Sequence, residues 1–195
     1  MALIEAITRF ASTVGRNGKD TTDVQVVPTP IPPPDDLSLT GELAVFYARL
    51  GFEKLTIGGE FFLKIVASSR LKNAQTGWRW ISKAPSQELL ENPKWDKNWV
   101  VFGDRNGDAL IAKTSQSNCP VFGLVQGEEY QLSSSLKSFL NAMSDCLVME
   151  QLEYGFDTHD EDFTVYEKFI DSTRQIVKKH ESDEIVEEFI GFFFE

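Results

Sequence analysis

Trp99 to Val125, WVVFGDRNGDALIAKTSQSNCPVFGLV, is the stretch that most narrows what this chain can fold into. Val100, Val101 and Phe102 supply β-favouring side chains, Asn106-Gly107 is a turn dipeptide that accepts positive φ, and Asp108 to Ala112 resumes an apolar run. The pattern predicts strand, tight turn, strand, polar loop, and a third strand over Val121 to Val125. Helical periods stand on both sides of it, so the predicted class is α+β.

Upstream, Leu3, Ile4, Ile7, Phe10, Ala11 and Val14 share one face of a short amphipathic helix that Gly15 and Gly18 end. This segment, 1–18, reads as a detachable arm. Residues 19–36 turn polar and then proline-rich, with Pro28, Pro30, Pro32, Pro33 and Pro34, which suits an extended linker and forbids helix. Ser38 or Asp36 is placed to cap a helix carrying Leu39, Leu43, Phe46, Tyr47 and Leu50, with Gly51 in the left-handed position at its end. Phe52 to Ile57 alternates as a strand, Gly58-Gly59 turns the chain, and Glu60 to Val66 is read as a second strand, although EFFLKIVASSRL fits a helical period as well. Pro85 to Trp95 is expected to form a short helix and loop.

Downstream, Ser133 or Ser134 is placed to cap a helix bearing Leu136, Phe139, Leu140, Met143 and Leu147. Tyr154 to Asp162 is an acidic break. Phe163, Tyr166, Phe169, Ile170 and Val177 mark a further helix, and Ser182 opens a last one that ends in Phe192, Phe193 and Phe194. The domain is thus expected over 37–149, followed by an acidic helical segment, 150–195.

Charge divides the chain unevenly. Residues 149–195 hold 14 acids against 4 bases, a balance of −10, whereas the first 148 residues stand at −1. Such a field repels nucleic-acid backbones and anionic lipid and attracts a basic partner. No uninterrupted apolar run approaches the ~20 residues that span a bilayer. MALIEAITRF interrupts its apolar pattern with Glu5 and Arg9, which disfavours a cleaved signal, and two cysteines in 195 residues suit reduced thiols in the cytoplasm.

Candidate chemistry is thin. Asp104, Asn106 and Asp108 imitate the first three ligand positions of a calcium loop, but Ala109 stands where glycine belongs and Ser115 where glutamate belongs. His159, within THDED, has no His or Cys at transition-metal spacing, and reads as a solvated helix start; His180 follows Lys178-Lys179 at a helix C-terminus. There is no nucleophile elbow, Walker loop or dinucleotide fingerprint. Trp78, Trp80, Trp95 and Trp99 have no interleaved basic residues beyond Arg79, Lys94 and Lys97, too few for a stacking platform, and read as core and rim packing. No catalytic residue, metal or cofactor is expected.

Three segments in order, WVVFGDRNGDALIA, CPVFGLV and SSSLKSFLNAM, resemble the SUKH superfamily, which holds bacterial immunity proteins and the Smi/Knr-type regulators of fungal cell-wall synthesis. The likeness runs from about Leu37 to Met149 and rests on Trp99, Phe102-Gly103, Gly107-Asp108, Pro120-Val121, Ser135 and Phe139-Leu140. Lys113 departs from it, standing where an acid often ends the hairpin. The resemblance implies a mostly antiparallel sheet flanked by helices, here with helical N- and C-terminal extensions, and a non-catalytic cytoplasmic immunity protein that sequesters a protein toxin, many such toxins being nucleases with basic clefts. It also admits an intracellular adaptor of the Smi/Knr kind, with the proline stretch and N-terminal arm as interaction tails. Asp157, Asp160, Glu161, Asp162, Glu184, Glu187 and Glu188 are the expected partner-binding carboxylates; the competing reading of the same residues is a solvated helix face. The terminal FIGFFFE needs cover, from the chain's own sheet or from another copy.

Overall fold

A computed structural model describes residues 2–16, 20–32, 37, 39–83 and 88–194. The first helix, α1 (Leu3–Thr13), opens with the Glu5 carboxylate accepting from the Ala2 N–H at 2.9 Å. Thr21–Thr22 (β1) and Gln25–Val26 (β2) follow, then α2 (Gly41–Arg49), β3 (Leu50–Gly51), β4 (Leu55–Ile57) and β5 (Leu63–Ile65). A 3-10 turn (Ser68–Arg70) runs into the single-turn helix α3 (Leu71–Ala74). Next come β6 (Trp80–Lys83), β7 (Glu88–Glu91), β8 (Trp99–Arg105), β9 (Asp108–Lys113), β10 (Val121–Val125) and β11 (Glu128–Ser133). The chain closes with α4 (Leu136–Met149), a π-turn (Glu150–Tyr154), α5 (Glu167–Val177) and α6 (Asp183–Phe194).

One antiparallel sheet of seven strands, in the order β1-β4-β5-β8-β9-β10-β11, carries the fold, which is α+β. The β8–β9 hairpin turns at Asn106-Gly107, both at positive φ, as a two-residue loop between twisted strands requires. A bulge lets Val101 and Gly103 face Ile111 and Leu110 in turn, and a Cβ at Gly103 would sit 3.0 Å from the Leu110 side chain. Trp99 begins β8, Asp108 begins β9, and Pro120 leads Val121 into β10.

Alternation along β8, β9 and β10 sorts side chains to two faces. Val100, Phe102, Leu110, Ala112 and Val121 join the large core beneath the helices, with Phe139, Leu140 and Met143 of α4 pressed against them. Val101, Ala109, Ile111 and Leu124 face the other way and are covered by Trp78, Trp95, Trp99 and Phe122. The tryptophans are therefore packing residues, as their sequence context indicates.

Several expectations are corrected. Residues 88–91 are a strand, not a helix, because Glu88 to Glu91 pair in register with Lys83 to Trp80 in a ribbon; Pro85 lies outside the described residues. Gly51 does not adopt left-handed geometry, since Leu50 and Gly51 pair with β2 instead. Ser135, rather than Ser133 or Ser134, caps α4, its Oγ accepting from Ser138 N–H at 3.0 Å. The caps read at Asp36 and Ser38, with Pro33, Pro34 and Gly18, lie outside the described residues. The polar half of the linker stretch is extended, yet β1 adds to the edge of the main sheet.

Both ends of the chain enter the same core. Ala6, Ile7 and Phe10 of α1 are buried with α4, and Phe189, Phe192 and Phe193 of α6 close the sheet from below β10 and β11. Gly123 makes that seat possible, because a Cβ there would lie 2.2 Å from Cε2 of Phe192. Phe61 meets Phe193 and Phe194 edge-on, at centroid distances of 5.5 and 5.9 Å. The terminal apolar run is thus covered within one chain.

Candidate interaction surface

The acidic break is a built element. Tyr166 N–H donates to the Thr158 carbonyl at 2.8 Å, His159 and Val165 form an antiparallel bridge, and Asp160 N–H donates to the Thr164 carbonyl at 3.0 Å. Asp160 fixes the tip: its Oδ1 accepts from the N–H of Asp162 at 3.0 Å and of Thr164 at 2.9 Å. The result is a miniature hairpin over 158–166, and His159 stands in its first strand rather than at a helix start.

Two carboxylates tie this hairpin to the body. Glu60 Oε1 accepts from the Thr158 hydroxyl at 3.0 Å and lies 3.4 Å from Nδ1 of His159. Glu60 N–H in turn donates to Oε1 of Glu150 at 2.8 Å, so the β4–β5 turn, the π-turn and the hairpin meet. Gly59, at φ +73, leaves room for that arrangement; a Cβ there would fall 2.2 Å from Glu150 Oε1.

The seven expected carboxylates divide between internal work and display. Asp160 holds the tip of the hairpin. Glu187 grips Arg174 through Nε at 2.9 Å, a contact that raises the guanidinium's pKa further. Glu188 accepts from the N–H of Gln131 and so covers the open edge of β11. Asp157, Glu161, Asp162 and Glu184 are exposed, and their carboxylates have no partner among the described residues. An open groove of about 560 Å³ beside α5 is lined by Glu153, Glu167 and Asp171, which sequence reasoning did not single out, together with Lys168 and Lys179, and Asp171 pairs with Arg174 at 2.7 Å.

Phe163 was also missed, having been assigned to the apolar stripe of α5. It is 87% exposed at φ +60, and α5 starts four residues later, because the Asp160 turn consumes the segment that the helical period had claimed. The available signal was an aspartate with backbone N–H groups two and four residues on, a turn former inside an apparent helix start.

The segment that lays Trp78 and Trp95 over the other side of the sheet holds a small excess of bases. Residues 70–97 carry six bases against three acids. Lys113 spans this face, its Nζ 3.6 Å from the Phe122 ring centroid and 4.6 Å from that of Trp99, while also pairing with Glu129 at 2.6 Å.

Chemistry of other kinds finds little footing. Among the described residues no group of three or more His, Cys, Asp or Glu side chains is arranged to hold a metal ion. Cys119 and Cys146 are buried and unbridged, and burial pushes both thiols up, away from the reactive thiolate form. Among the described residues no helix is long and apolar enough to cross a membrane. Comparison with protein families, curated proteins and solved structures finds no match to this chain.

Proposed function

We propose that this chain is a non-catalytic binding protein of the SUKH immunity type, which neutralises a protein toxin in the cytoplasm by covering a basic cleft with its acidic face. The observation that carries the reading is the division of the carboxylates: some are consumed by the fold, while Asp157, Glu161, Asp162 and Glu184 stand exposed without internal partners. Carboxylates displayed in this way raise the rate of encounter with a basic protein, and an antidote competes with its toxin's substrate in time. The same face disfavours nucleic acid and anionic membrane as partners.

The test is rescue in cells. Co-expression with a toxin domain drawn from the gene neighbourhood of this chain is expected to restore growth, and simultaneous change of Asp157, Glu161, Asp162 and Glu184 to Lys is expected to abolish rescue while the variant stays folded. Unchanged rescue by the quadruple variant would reject the acidic face as the docking surface.

A second reading, an intracellular adaptor of the Smi/Knr kind, draws on a different feature. The β6–β7 ribbon exposes Ile81, Leu89 and Leu90, which gives the chain a second surface of its own. The N-terminal helix no longer serves that reading, since its apolar face is spent in the core.

A further inference from the structure

The acidic side of the molecule is also where its most exposed apolar side chains stand. Phe163, 87% exposed, and Leu152, 76% exposed, exceed every other large apolar residue described, and Tyr166, at 38%, stands three residues beyond Phe163. An exposed leucine alone has no meaning, but a phenylalanine fully presented to water at the tip of a short hairpin is unusual. Nothing in the fold uses its ring: no aromatic or cation contact within the described residues involves Phe163. Removing such a ring from water on binding is worth far more than any rim charge, and anchors of this kind sit at the centres of interfaces, ringed by polar groups that exclude water.

Resting on the binding function proposed above, we infer that Phe163 is the apolar anchor of that interface, and that its occupant is a basic protein with an apolar pocket bordered by Lys or Arg. The charge of the surroundings selects that partner. Glu161 and Asp162 immediately precede Phe163 at the tip, and Asp157 stands at the hairpin's base, so any pocket that receives the ring brings its rim within reach of these carboxylates. A second copy of this chain is a poor occupant of the same site, because two such tips would meet with like charge. The hairpin's attachment to Glu60 fixes the backbone that carries the ring before contact, which reduces the ordering cost of association.

The experiment measures binding of a purified, catalytically inactivated toxin domain with a basic cleft, drawn from the gene neighbourhood of this chain, by calorimetry at low and moderate salt. Wild type, Phe163→Ala, the Asp157/Glu161/Asp162/Glu184→Lys variant and, as a control on the β6–β7 ribbon, Leu89→Ala are compared. Phe163→Ala is expected to raise Kd at least tenfold with its salt dependence intact, whereas Leu89→Ala stays within twofold; unchanged thermal midpoints certify the fold. If Phe163→Ala binds within twofold of wild type while the charge-reversed variant is weakened, the anchor is refuted and the acidic docking face survives. If wild type itself fails to bind, the function on which the anchor rests is refuted, and the anchor with it.

Discussion

The side chain of Gln75 pairs with both backbone groups of Val101: its Oε1 accepts from the Val101 N–H at 3.0 Å, and its Nε2 donates to the Val101 carbonyl at 2.8 Å. Beyond Ile65 and Val66 the neighbouring strand has left the sheet, so β8 would otherwise present unpaired groups in a buried place. The fully buried amide acts as one residue of a missing strand, and its Nε2 also donates to the Leu71 carbonyl. Gln75→Ala is therefore predicted to cost about 2–4 kcal/mol, since a buried donor and acceptor lose partners together. Urea denaturation measures it. Gln75→Glu sharpens the test: an ionised carboxylate would face two carbonyls, so that variant is predicted to be less stable at pH 7 than at pH 4.

Asp145 joins α1, α4 and the end of α5, pairing with Arg9 on one oxygen and with His180 Nε2 at 2.8 Å on the other. Burial pushes its carboxyl up, but the bonds and charges from Arg9 and His180 more than reverse this, leaving it below the usual value of 3.8. A carboxyl lowered by folding contributes stability that is fully present above its unfolded pKa and is lost as pH falls through the folded one. Glu42 works in the opposite sense. Burial outweighs the Lys137 N–H it accepts and raises its carboxyl, so its contribution weakens as pH rises through the interval above 4.5. Asp145→Asn is predicted to cost roughly 1–2 kcal/mol at pH 7 and to flatten the loss of stability below pH 4, read from urea midpoints across pH 2.5–7.

Glu184 and Glu188 lie one turn apart on α6 and answer differently to the same change. Glu188→Lys removes the acceptor for Gln131 N–H, so it is predicted to cost about 1–3 kcal/mol and to promote association through the uncovered β11 edge. Glu184→Lys is predicted to leave stability within about 0.5 kcal/mol, because its side chain has no partner to lose among the described residues. Thermal melts with light scattering distinguish the two.

Gly123→Ala is predicted to lift α6 from β10, since the new methyl would stand 2.2 Å from the Phe192 ring in a packed core. Overpacking of this kind costs about 1–3 kcal/mol, read as a lowered urea midpoint with altered near-ultraviolet dichroism.

The central meander was legible because its information is local. Alternating side chains, Asn106-Gly107 and the polar loop before Pro120 each specify their own backbone, and β8 to β10 follow them. The same was true of α1, α4 and α6, whose apolar residues repeat at helical steps. What escaped were elements decided by distant partners: β7 becomes a strand only by pairing with β6, and Leu50-Gly51 only by pairing with β2. The acidic face was legible as composition, but its division was not. Glu188 and Asp157 are the same kind of residue in sequence, and only the fold reveals that one closes a sheet edge while the other stands in solvent.

Association kinetics with the proposed partner, a toxin domain with a basic cleft, test the account's central claim, that the protein acts by opposed charge and surface fit. From 20 to 500 mM NaCl the association rate constant is predicted to fall at least tenfold while the dissociation rate changes little, and the charge-reversed quadruple variant is predicted to lose most of that salt dependence. An association rate that does not respond to salt, or that the quadruple variant leaves unchanged, would contradict it.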